Sequence, residues 1–88
     1  MKRNRQEVFM EILTVFNENN VNTDALSFDV RLDAPDFPID SVLFMKLLVD
    51  LENRFQIELN YPEALGAEKP TLGSLTDYIE GCLARKTQ

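Results

Sequence analysis

The apolar positions of the chain fall into three helical blocks. Val8, Phe9, Ile12, Leu13 and Phe16 recur at three- and four-residue spacing, one face of a helix over roughly residues 4–18. "NENNVN" closes that block, because Asn favours turns over helix interiors. "SVLFMKLLVDLENRF", residues 41–55, predicts the strongest helix, with Asp40 as its N-cap. Thr71 caps a last helix over about 72–85, whose apolar residues are Leu72, Leu75, Ile79, Cys82 and Leu83. Arg85 and Lys86 stand at its C-terminal end, where cations complement the helix dipole. Between the second and last blocks, "NYPEALGAEKP" predicts at most a short helical turn near 62–66, with Pro62 at its first position.

Residues 19–40 form a long connection rich in Asn, Asp and Pro. Its alternation of Leu26, Phe28, Val30 and Leu32 has the period of a strand. A lone strand would have no partner here, so the expectation is an ordered loop with these side chains turned inward. Loops of this length in compact domains often carry function. A calcium loop over 29–40 is excluded, because Arg31 and Ala34 stand where a ligand and a glycine are required.

The second helix has an excess of apolar residues. On a wheel of about 100° per residue, Leu43, Phe44, Leu47, Leu48, Leu51 and Phe55 occupy one arc of roughly 140°, the core face. Val42, Met45 and Val49 fall on the other side with Lys46 and Asn53. A helix that only closed a bundle would be polar there. The stripe is therefore expected to be exposed and to contact a partner, unless the 19–40 loop covers it. Ser41 begins the same helix. A phosphate attached to it would lie near the positive end of the helix dipole.

Charge and composition narrow the functions. The chain has 88 residues, one small domain spanning 1–88, all-α, with three main helices and a short one. Its net charge of −6 argues against nucleic acid and against an anionic membrane surface. It has no histidine, the usual general base and commonest metal ligand. Ser41 has no visible base, and Asp50 and Glu52 point to different sides of the helix, so no catalytic or metal site is expected. One cysteine, Cys82, cannot form an internal disulfide and fits a reducing compartment, with the cytoplasm as the expected setting. The basic start followed by apolar residues is interrupted by Glu7 and Glu11, which marks an amphipathic helix and not a signal peptide.

With these residues in view, the chain resembles the acyl carrier and peptidyl carrier family. These are small acidic helical bundles bearing a 4′-phosphopantetheine arm on a serine at the start of the second helix. The family's Asp-Ser-Leu corresponds to Asp40-Ser41-Val42 here. "LENRFQIEL" at 51–59, Thr71, Leu75 and "DYI" at 77–79 extend the likeness. The chain departs from the pattern at Pro38 and Gln56, where Gly is common, at Val42, and at Leu43 and Lys46, where acidic residues are frequent.

The resemblance implies a carrier without catalysis of its own, a free-standing monomer that does not insert into membranes. Ser41 would take the arm covalently from coenzyme A, and Asp40 would cap the helix and lie against the phosphopantetheinyl transferase. Val42, Met45, Lys46 and Val49 would dock partners, with Asp40, Asp50 and Glu52 offering salt-dependent contacts to basic residues. Those partners would be the transferase, an acyl- or aminoacyl-loading enzyme, and condensing or transferase enzymes. The weakly acidic second helix points to a specialised pathway: polyketide, nonribosomal peptide, or one dedicated acyl or aminoacyl group. The alternatives are a fatty-acid carrier and an unmodified interaction module.

Overall fold

A computed structural model describes residues 4–34, 37, 39–60 and 70–86. Among these it contains three helices: α1 (Arg5–Glu18), α2 (Ser41–Phe55) and α3 (Leu72–Lys86). The expected turn at 62–66 and the unusual Pro38 lie outside the described residues.

Each helix begins where a side chain can satisfy its first amides. The Glu7 N–H donates to Asn4 Oδ1 at 2.8 Å, so the expected start at residue 4 is the cap of a helix beginning at Arg5. Thr71 and Ser74 cap α3 reciprocally: Ser74 N–H donates to Thr71 Oγ1 at 3.0 Å, and Thr71 N–H to Ser74 Oγ at 2.9 Å. This is the capping-box arrangement with serine in the place of the usual Glu or Gln.

Two helices end through left-handed residues. After α1, Asn20 has φ 65°, Asn20 N–H donates to Asn17 O at 3.0 Å and Val21 N–H to Phe16 O at 3.0 Å. This is the Schellman motif, and its last residue, Val21, is buried. The chain leaves α2 through Gln56 at φ 57°, with Ile57 N–H donating to Glu52 O at 3.1 Å.

The three helices share one core. Ile12 and Phe16 of α1, Leu47 and Leu51 of α2, and Leu75 and Ile79 of α3 are fully enclosed within it. Cys82 is a buried thiol at the C-terminal end of α3, as expected of a small core residue. No helix of the described residues is long and apolar enough to cross a membrane.

The described stretch 19–34 of the 19–40 connection is an ordered loop, and Leu26, Phe28, Val30 and Leu32 all pack against the core. Its strand-like alternation finds a partner after all, in a single antiparallel bridge between Arg31 and Thr71. The loop carbonyls of Val30 and Phe28 accept the N–H groups of Leu72 at 3.0 Å and Gly73 at 2.9 Å. With Thr71 taking the Ser74 and Leu75 amides, the whole first turn of α3 is satisfied. The Phe28 ring stacks on Phe9 with centroids 4.2 Å apart, and the Arg5 guanidinium lies 4.2 Å from the Phe28 centroid. Arg5 also pairs with Asp77 of α3 at 2.7 Å, tying the loop and the two terminal helices together.

Candidate functional site

The candidate site is the N-terminal end and outer face of α2. Ile39, just before the cap, and Phe44, in the first turn, both lie in the core cluster. A buried residue on each side of a cap fixes the angle at which the chain enters a helix. Asp40 then caps: Leu43 N–H donates to Asp40 Oδ1 at 2.8 Å, and Phe44 N–H to Asp40 O at 2.8 Å. Between these anchors Ser41 is held at the first helical position, exposed to solvent.

The first turn of α2 differs from that of α3. Among the described residues no acceptor takes the N–H of Ser41 or Val42. Intrahelical bonding cannot supply one, because the first amides of any helix have no preceding turn. An exposed hydroxyl thus stands beside two available backbone donors, at the positive end of a 15-residue helix. That arrangement suits a phosphate ester on the serine. The adjacent carboxylate in sequence, Asp40, commits an oxygen to the cap.

The second apolar face is where the wheel places it. Val42 is 78% exposed, Met45 55% and Val49 52%. The 19–40 loop leaves the stripe open and packs instead on α1 and the start of α3. On the opposite arc Phe44, Leu47, Leu48, Leu51 and Phe55 are buried and Leu43 is half-buried.

The charged residues beside the stripe have intramolecular partners. Lys46 Nζ reaches Asp50 Oδ2 at 3.3 Å and also donates to Asn19 Oδ1. Asn19 Nδ2 donates to Asp50 Oδ2 at 3.0 Å and to Val15 O at 2.9 Å. Lys46 and Asp50 are four apart in sequence, a spacing that signals such a pair, although both were expected to contact partners. Asn19 read only as a turn former, because nothing local signals a contact across to α2. Glu52 Oε2 accepts the Leu59 N–H at 2.7 Å, which holds the chain after α2 against the helix. Arg54 lies 3.4 Å from Glu18 and 4.0 Å from Glu11, bridging α2 to α1. Beside this network an open cleft is lined by Val15, Glu18, Asn19, Asp50, Asn53 and Arg54, a mostly polar and ion-paired surface.

Away from the helix, Arg31 donates to Asp33 from Nε at 2.9 Å and from a terminal nitrogen at 2.8 Å. These hydrogen bonds hold the Asp33 carboxyl below its usual range and raise the Arg31 guanidinium above its own.

A three-helix bundle with an exposed serine capped into the start of its middle helix has the architecture of a carrier domain. The family model for the phosphopantetheine attachment site matches residues 11–79, and the chain belongs to that family. Among curated proteins none matches it significantly. Domains of this family hold 4′-phosphopantetheine covalently and are themselves non-catalytic, so the protein is a phosphopantetheine-bearing carrier.

Proposed function

We propose that Ser41 is the attachment residue and that the outer face of α2 presents the loaded arm to partner enzymes. The observation that carries the first part is the exposed Ser41 hydroxyl beside two available amides, inside the matched region. In the transfer, the Ser41 Oγ–phosphorus bond forms as the pyrophosphate linkage of coenzyme A breaks. Adenosine 3′,5′-bisphosphate leaves, and the hydroxyl proton passes to the phosphopantetheinyl transferase. With the arm in place, the Ser41 and Val42 N–H groups would be the backbone donors available to its phosphodiester, while Asp40 keeps the first turn wound. When bound, the arm supplies a thiol that holds acyl or aminoacyl groups as thioesters.

The protein's part is positional. The cap and the buried Ile39 and Phe44 fix Ser41 in one orientation, so the arm has a defined origin. Val42, Met45 and Val49 offer a small apolar surface suited to modest interfaces and fast release. Lys46, Asp50 and Glu52 frame the helix that carries it. A specialised acyl, aminoacyl, polyketide or peptide pathway is favoured over fatty-acid synthesis, because Leu43 and Lys46 replace acidic residues on this helix. Peptide mass mapping after incubation with coenzyme A and a broad-specificity transferase is expected to find the arm on the peptide containing Ser41. An arm on any other residue overturns the assignment.

A further inference from the structure

Lys46 stands on the exposed face of α2, four residues after Val42 and three before Val49. Residues at those spacings are neighbours on a helix surface. Helical side chains lean toward the N-terminus, so an unrestrained Lys46 would lie back over Val42 and toward Ser41. Its stem is suited to that, since lysine covers adjacent apolar surface while its ammonium stays in water. The structure has the opposite arrangement. Lys46 Nζ is drawn toward the C-terminal side of the helix, to Asp50 Oδ2 at 3.3 Å, and across to Asn19 Oδ1 at the end of α1. Val42 is left 78% exposed.

Asp50 alone is a weak restraint. An exposed ion pair adds little, and a lysine four residues before the acid is the poorer order of the two on a helix. Asn19 is the firmer anchor. It is half-buried, its N–H donates to Phe16 O at 3.0 Å, and its Nδ2 donates to Val15 O at 2.9 Å. The same Nδ2 donates to Asp50 Oδ2 at 3.0 Å, so Asn19 supplies one acceptor for Lys46 and holds the other in place. We propose that Asn19 is a positioning residue for arm transfer: acting through Lys46, it holds the lysine chain off Val42 and keeps the approach to Ser41 open. Lys46 then borders the docking face without crossing it. The inference rests on Ser41 as the attachment residue and α2 as the presented face, as proposed above, and adds to them a residue at the end of α1.

The experiment measures kcat and KM for the carrier in transfer from coenzyme A by a broad-specificity phosphopantetheinyl transferase. Asn19→Ala should raise KM about fivefold and change kcat less than about twofold. In a Lys46→Ala background the same substitution should change KM less than about twofold, because the chain it restrains is gone. Asn19→Asp loses both Nδ2 bonds but still accepts from Lys46, so its KM should stay within about twofold of the wild type whatever its Tm. Asp50→Asn weakens the same restraint without touching α1. It should raise KM with Lys46 present and not in the Lys46→Ala background, and it carries the test if circular dichroism shows Asn19→Ala unfolded. An unchanged KM for a folded Asn19→Ala protein overturns the proposal. So does an Asn19→Ala or Asp50→Asn effect that persists without Lys46, or an Asn19→Asp protein as impaired as Asn19→Ala. Those results leave Ser41 as the attachment residue, since the arm is still transferred. No arm on the wild type overturns the Ser41 assignment, and this inference with it.

Discussion

Gln56 stands where the carrier resemblance implies a glycine, and the backbone there favours one. It leaves α2 at φ 57°, ψ 51°, the left-handed region. An L-residue there brings its Cβ close to the following carbonyl, at a cost of roughly 1–2 kcal/mol. Glycine avoids that cost but loses more freedom on folding, worth roughly 0.4–1 kcal/mol. The Gln56 side chain is exposed, so its removal sacrifices little packing. Gln56→Gly is therefore expected to stabilise the protein by about 1 kcal/mol, raising Tm by about 4–8 °C for a domain of this size. Asn20 is left-handed as well, at φ 65°. Asparagine tolerates that conformation better than glutamine, so Asn20→Gly should gain less. Gln56→Val, a β-branched residue held at positive φ, should be less stable than the wild type by the extra crowding of its branched Cβ, beyond the cost Gln56 already carries. Urea titration and thermal melts followed by circular dichroism give all three values, with an unchanged urea slope showing that the compactness of the denatured state is unaffected. A Gln56→Gly protein no more stable than wild type, or an Asn20→Gly gain exceeding it, refutes the backbone argument.

Asp40→Ala removes the acceptor of the Leu43 N–H and should cost about 1 kcal/mol, while Asp40→Asn retains the cap and should cost less in the same melts. If both substitutions slow arm transfer but only the alanine destabilises the fold, Asp40 also acts on the transferase through its charge. Gly73→Ala should not show the roughly 1 kcal/mol gain that alanine ordinarily has over glycine in a helix, because a backbone oxygen must give way to admit the added Cβ. That oxygen, Phe28 O, would be 3.1 Å away, and an Arg5 nitrogen 3.0 Å away. Asp33 should titrate below the ordinary aspartate value of about 3.9 by NMR, and added salt should move it back up. Because its folded pKa is lowered, its contribution to stability is present above the ordinary value and is lost as pH falls through the lowered one. Asp33→Asn should remove that part of the acid dependence.

Much of the fold was legible because the signals that set it are local. Asn4, Asp40 and Thr71 cap helices through bonds spanning three residues; Asp40 and Thr71 stood as the expected caps, and Asn4 as the first residue of the expected helix. The two faces of α2 follow from helical periodicity alone, and the exposure of Val42, Met45 and Val49 agrees with the wheel. The contacts that were not legible join residues far apart in sequence. Phe28 finds Phe9 and the first amides of α3, which makes an ordered loop of a segment with strand-like alternation. Asn19 meets Lys46 and Asp50 across the α1–α2 junction. Periodicity reports which side of an element is buried, not which distant side chain will meet it. The candidate site could be placed because its serine, cap and apolar stripe lie within one helix. Its electrical character could not, because that depends on α1 and on the segment after α2.

The most direct test of the account is the intact mass of the wild type and of Ser41→Ala after incubation with coenzyme A and a broad-specificity phosphopantetheinyl transferase. Ser41 is exposed, so the alanine protein should keep the wild-type circular dichroism. The account predicts a gain of one phosphopantetheinyl group on the wild type and none on Ser41→Ala. A wild type that stays unmodified, or an alanine variant that gains the group, would contradict it.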